Sequence, residues 1–162
     1  MSHSTPELPR GEIDRSIYVM PAFLTIPVSD FDAVRSWYVD GLGFVVLAEM
    51  PGPDGSPWLV HLRRYRYQDV LLVPRGTPST TDTASGLRFS IANVHEDLAQ
   101  RAEQARRVGT GSVEGPIRRP WNAVELVCRD PEGHEVVFTQ YGGDEHADRE
   151  FVTAVRASVV QG

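Results

Sequence analysis

A chain of 162 residues, 41% hydrophobic and 23% charged, has the make-up of one soluble globular domain or of two small packed halves able to bury a core. A net charge of −6 gives nucleic-acid binding no electrostatic support, no apolar run nears the ~20 residues that cross a bilayer, and the single cysteine, Cys128, excludes an internal disulfide. A reducing cytoplasm is the expected location, with neither nucleic acid nor membrane as partner.

Met1 to Arg15 is polar, carries two prolines and lacks the apolar stretch of a signal peptide, so residues 1–20 are read as an N-terminal arm. Leu24-Thr25-Ile26-Pro27-Val28-Ser29-Asp30 alternates as a strand does. Leu24, Ile26 and Val28 then lie under a helix, while Phe23, Thr25 and Pro27 look the other way, into a cavity. Asp30 offers an N-cap to a helix carrying Phe31, Val34, Trp37, Tyr38 and Gly41 at helical spacing, ended by Gly41 and Gly43. Strands follow at Phe44–Met50, Trp58–Arg64 and Asp69–Pro74, the first two joined by the turn Pro51-Gly52-Pro53-Asp54-Gly55. Arg63, Arg64 and Arg66, interleaved with Tyr65 and Tyr67, read as a solvated strand end. Residues 76–85, rich in Thr, Ser and Pro, read as a linker.

The pattern then repeats. Leu87–Asn93 alternates again, with Leu87, Phe89 and Ile91 as core and Gly86, Arg88, Ser90 and Ala92 facing inward. Asn93 reads as the next N-cap, with Glu96 completing a capping box and Val94, Leu98, Ala102 and Ala105 on one helix face before Gly109 and Gly111. Strands are expected at Ser112–Ile117, Val124–Arg129 and Glu135–Tyr141, the last two joined by Asp130-Pro131-Glu132-Gly133. Residues 142–162 hold an amphipathic helix with Phe151, Val152, Val155 and Val159, packed on the body or on a partner chain. Each half is thus β-α-β-β-β. The expected fold class is α+β: two βαβββ modules, 22–75 and 86–141, within one domain 21–141, their curved mixed sheets enclosing a cavity.

Three runs carry a family resemblance: Ile26-Pro27-Val28-Ser29-Asp30, Trp37-Tyr38-Val39-Asp40-Gly41-Leu42-Gly43-Phe44, and Arg129-Asp130-Pro131-Glu132-Gly133-His134. The chain from Ala22 to Tyr141 is similar to the vicinal oxygen chelate superfamily of glyoxalases, extradiol dioxygenases and bleomycin-resistance proteins. The likeness is strongest to the drug-binding bleomycin-resistance type, which shares a Pro-Trp pair, here Pro120-Trp121, before the strand that leads into R-D-P-x-G. The resemblance implies a homodimer and, in the family's enzymes, a divalent metal held by His, Gln or Glu on the inner strands. Carried over residue by residue, those metal slots fall on Phe23, on Gly86, on Val137 and within Val70-Leu71-Leu72-Val73. None offers an imidazole, carboxylate or thiolate, so no metal and no other cofactor is expected.

Phe23 and Val137 in those slots give the cavity an apolar floor. Trp121, Trp58 and Tyr65 are candidates to stack on a planar ligand, although Trp58 reads equally well as core. Arg88 either orients a carbonyl or carboxylate or forms an ion pair with Glu125. His61 and His134 read as structural or solvent-facing, Trp37 as buried, and Cys128 as a small core residue. No phosphate loop, dinucleotide fingerprint or G-x-S-x-G motif is present. The expected ligand-binding set is Phe23, Trp58, His61, Tyr65, Arg88, Trp121, Glu125 and Val137, with no catalytic residue. The expected function is metal-free sequestration of a bulky, partly aromatic natural product, by resemblance an antibiotic. The alternatives are an enzyme of the same superfamily, metal-dependent or built on Arg88, His61 or Glu125, and a ligand-sensing module without turnover.

Overall fold

The computed structural model describes residues 13–17, 19–76, 86–93, 96–142 and 149–158. Alternation in Phe23–Val28 makes the first strand, β1, and burial follows it: Ile26 and Val28 are buried while Phe23, Thr25 and Pro27 are exposed. Asp30 leaves the extended region and accepts a hydrogen bond from the Ala33 amide at 3.0 Å, starting α1 (Phe31–Ser36). The chain continues as a π-helical turn over Trp37–Gly41, whose extra residue turns Trp37, Tyr38 and Gly41 into the core together. Strands β2 (Val45–Pro51), β3 (Pro57–Arg63) and β4 (Asp69–Pro74) complete a sheet of order β1-β4-β3-β2, parallel between β1 and β4 and antiparallel elsewhere.

The second half repeats this frame with β5 (Arg88–Ala92), α2 (Leu98–Val108), β6 (Ser112–Arg119), β7 (Ala123–Arg129) and β8 (Glu135–Tyr141) in the order β5-β8-β7-β6. A helix α3 follows at Arg149–Ser158. The packing expected of Phe151, Val152, Val155 and Val159, the linker 77–85 and Val94 lie outside the described residues. No helix among the described residues is long and apolar enough to cross a membrane.

A single core joins the modules on the helix side of both sheets, with Trp37, Tyr38, Leu72, Leu126 and Phe138 almost wholly buried. Each such ring takes roughly 150–250 Å² out of water, worth about 4–6 kcal/mol before entropy. Two ionic clamps mirror one another across the module boundary. Glu96, at the start of α2, accepts from Arg101 at 2.8 and 2.9 Å and from Arg64 of the β3–β4 turn. Glu132, in the β7–β8 turn, accepts from the Ser29 and Asp30 amides at 2.5 and 2.8 Å and from Arg75 at 3.2 Å. The two quoted motifs also meet: buried Asp130 holds its own turn through the Glu132 and His134 amides and takes a 3.4 Å bond from the Tyr38 hydroxyl. Burial raises the carboxyl pKa of Asp130 and raises the Tyr38 phenol further.

The structure corrects three expectations. Asp97, not Asn93, caps α2, accepting from the Ala99 and Gln100 amides at 2.8 and 3.0 Å. The Asn93 amide is occupied elsewhere, donating to the Glu96 carbonyl and to Gln140. Leu87 lies just ahead of β5 and is 38% exposed rather than core. Arg63 and Arg64 are buried, not solvated, because each guanidinium has a carboxylate within reach, Asp69 and Glu96 respectively.

Candidate ligand-binding cleft

β1 and β5 are each the edge of their own sheet, and the gap between them is a cleft of about 340 Å³. Ala22, Phe23 and Leu24 form one wall and Phe89–Ala92 the other, with Phe44, Tyr67 and the start of β4 completing it. Gln68 spans the boundary by donating to the Ala92 carbonyl at 2.8 Å. Phe23, 51% exposed, presents its ring here because the alternation of β1 turns it away from α1.

The charged groups beside this cleft are committed to one another. Asp69, beside Phe23 in the β1–β4 ladder, accepts at Oδ1 from His61 Nε2 (2.8 Å) and Arg63 Nε (2.7 Å), and at Oδ2 from Arg63 Nη2 (3.2 Å). All three side chains are buried. The positions where the resemblance puts metal ligands do not fit a metal. Phe23 offers a phenyl ring, Val137 lies buried between Ser90 and Val127 in its ladder, and Leu71, between Thr25 and His61, is apolar. Gly86 is closed by the backbone: a Cβ there would sit 1.8 Å from the Gly133 carbonyl oxygen, so a ligating side chain requires the chain to move. Among the described residues no three His, Cys, Asp or Glu side chains group as a metal site does.

The open face of the second sheet carries the remaining candidates. Ala92, Thr139 and Glu125 lie side by side in the ladder, which leads from the cleft to Trp121. Buried Glu125 accepts from Arg119 Nε at 2.9 Å and from Trp121 Nε1 at 3.1 Å. The Arg119 guanidinium lies 5.8 Å from the centre of the Trp121 ring, so a half-exposed indole is held in one orientation. Arg88 does not pair with Glu125. The register sets it beside Glu135, which accepts from Arg88 at 2.8 Å and from Arg129 on its other side.

Trp58 and His61 are not brought together. Trp58 has the parity of Val60 and Leu62 and lies on the helix side, 56% exposed over a separate hollow with Phe31, Pro57 and Arg75. Tyr65 is part-buried in the β3–β4 turn, whereas Tyr67 of the same turn lines the cleft. Tyr67 and Gln68 escape the sequence reading because a turn has no alternation to say which side chain points where, and Phe44, expected to open a strand, falls just ahead of β2. Their only signal is nearness to the Phe23 row. Cys128 is buried, and that burial pushes its thiol up to about 12, well away from nucleophile chemistry. His134 is buried as well, accepting from the Leu87 amide at 3.1 Å, a structural latch within the second module between the segments that lead into β5 and β8.

A family model described as the Glyoxalase/Bleomycin resistance protein/Dioxygenase superfamily matches residues 21–138. No curated protein matches the sequence. Among solved structures, TnmS3, described as an antibiotic binding protein from Streptomyces sp. CB03234, is 24% identical at a TM-score of 0.57, over 76% of this chain and 95% of that one. TioX from Micromonospora sp. ML1 is 22% identical at 0.57 over 74% and 94%, and a lactoylglutathione lyase from Agrobacterium tumefaciens 19% identical at 0.51 over 78% and 96%. At such identities the shared property is the fold, that of the vicinal oxygen chelates, here two modules of four-stranded mixed sheet. With the family model covering most of the chain and its motifs seated at the module boundary, the protein belongs to the glyoxalase/bleomycin resistance/dioxygenase superfamily.

Proposed function

We propose that the protein captures a bulky, partly aromatic small molecule in the cleft between β1 and β5 and holds it without metal-dependent chemistry. The observation that carries this is Phe23: the inward position that the family's enzymes give to a metal ligand holds a half-exposed ring at the cleft. Capture works by removing the planar surface of the ligand from water. About 300 Å² of buried apolar ligand surface at ~25 cal/mol/Å² gives roughly 7 kcal/mol, from which ordering subtracts. The held indole of Trp121 supplies a second stacking surface, and Ser90, Gln68 and Thr139 supply polar groups that orient the ligand. An antibiotic is the ligand class in view, since TnmS3 is described as antibiotic-binding. Action as a homodimer in the cytoplasm belongs to the same reading.

An enzyme is the second reading, favoured by Asp69, which lines the cleft and is bonded to His61. One experiment separates the two. Tryptophan fluorescence is titrated with a panel of polycyclic aromatic antibiotics, and the bound compound is recovered and weighed by mass spectrometry. Micromolar quenching with the compound returned unchanged is expected. Conversion of the compound, or stoichiometric cobalt, nickel, zinc or iron in the purified protein, overturns the proposal.

A further inference from the structure

Among the described residues, the β3–β4 turn holds the one bulky side chain that stands on left-handed backbone. Tyr67 has a φ of 61°, a value that crowds a Cβ and that glycine adopts freely. The other non-glycine case among the described residues, Asn122, is of a type that tolerates it. The turn explains why the conformation is needed. The Arg64 amide donates to the Gln68 carbonyl at 3.1 Å, closing the loop Tyr65-Arg66-Tyr67 between antiparallel strands. Hairpin loops of this length commonly finish on a left-handed residue, and glycine is its usual occupant. The chain puts a phenol there instead, and core packing does not account for it, since Tyr67 is 43% exposed. Its neighbours hold the strained backbone: the Arg64 guanidinium bonds Glu96, and Gln68 reaches the Ala92 carbonyl of the opposite cleft wall at 2.8 Å. Anchored so, Tyr67 lines the cleft with Phe23 and Phe89, and its hydroxyl has no hydrogen-bond partner among the described residues.

We propose that Tyr67 is the specificity-determining residue of the cleft, selecting planar aromatic ligands that carry a carbonyl oxygen on their ring system. The proposal rests on the capture reading of the cleft and names the ligand chemistry within it. The ring adds a stacking surface. The phenol O–H is a better donor than acceptor, because the oxygen lone pair is drawn into the ring, so it favours a carbonyl. Of the other polar groups in the lining, Asp69 is taken by His61 and Arg63 and the Gln68 amide by Ala92, which leaves the Tyr67 and Ser90 hydroxyls to meet a ligand.

The test uses fluorene-2-carboxylate and 9-fluorenone-2-carboxylate, which share one planar skeleton and one charge and differ by a single ring carbonyl. Isothermal titration is run on the full chain and on its Tyr67→Phe, Tyr67→Gly and Phe23→Ala variants. The wild-type chain should bind the ketone about fivefold more tightly, the worth of one hydrogen bond, and Tyr67→Phe should bring the two to within about twofold by weakening the ketone alone. Tyr67→Gly should weaken both about tenfold as the ring surface is lost. Its urea midpoint should stay at or above that of wild type, because the left-handed backbone no longer carries a side chain. Phe23→Ala should weaken both compounds, placing them in the cleft. A wild-type chain that binds neither, or whose binding of both survives Phe23→Ala, sinks the capture reading and this proposal with it. Binding of both without preference, a preference that survives Tyr67→Phe, or a urea midpoint that falls in Tyr67→Gly overturns the role of Tyr67 alone.

Discussion

The two modules place the same three-residue row at the same point of their sheets and treat it in opposite ways. In the first, Phe23, Asp69 and Arg63 are neighbours in register across β1, β4 and β3; in the second, Arg88, Glu135 and Arg129 are neighbours across β5, β8 and β7. Both rows therefore centre on an acid that opens the last strand, paired to the arginine that closes the strand before it. The first pair is wholly buried beneath the arm, with side-chain exposures of 0% and 0%, whereas Arg129 and Glu135 are 58% and 14% exposed. Topology determines which side chains share a face, but what covers the face decides whether an ion pair is an exposed ornament or a buried strut. The cleft lies where Phe23 replaces the third charge of the row.

Four measurements sharpen or break this comparison. The largest effect is expected from Asp69→Ala, which leaves Arg63 and His61 buried without their carboxylate. Urea unfolding should show a loss of about 3–5 kcal/mol. A loss below about 1 kcal/mol, the range of exposed pairs, would show that the buried row is not a strut.

Next comes the helix side, where the modules differ by Cys128 standing in β7 at the place that Leu62 holds in β3. The Cys128 thiol is raised from 9.0 to about 12 by burial. A raised folded-state value contributes nothing at neutral pH; stability is kept below about pH 9 and lost as pH climbs toward 12, because only the unfolded chain releases the proton. Between pH 8 and pH 11 the wild-type chain should lose up to about 3 kcal/mol more than Cys128→Ala. Parallel pH curves for the two would show that Cys128 does not titrate this way.

Third, Phe23→Ala and Trp121→Ala should each weaken antibiotic capture about tenfold, or ~1.4 kcal/mol, while Arg88→Ala, at the matching point of the other row, should change it little. Isothermal titration of the three variants reads this directly. A larger loss at Arg88 than at Phe23 would move the site to the second row. The smallest effect belongs to Glu135→Ala. Its partners Arg88 and Arg129 are more than half exposed, so the stability change should stay within about 1 kcal/mol. A loss matching that of Asp69→Ala would erase the distinction between the rows.

Much of this was legible in the chain itself. Period-two alternation placed Ile26 and Val28 under α1 and turned Phe23 outward, and the turn chemistry of Asp130–Gly133 marked where β7 ends. The parity of Trp58 with Leu62 was equally readable and shows that it cannot share a face with His61. Local periodicity and turn propensity act over a few residues, so they survive without a fold. Tertiary contact alone decided the rest: that Asp97 displaces Asn93 as the cap, that Arg88 meets Glu135, that Gly86 is pressed on Gly133, and that a basic run becomes buried. Arg63 is the clearest case. A guanidinium is solvated by default, and only the arrival of Asp69 and the arm carbonyls, from positions up to 49 residues away, supplies the partners that let it leave water.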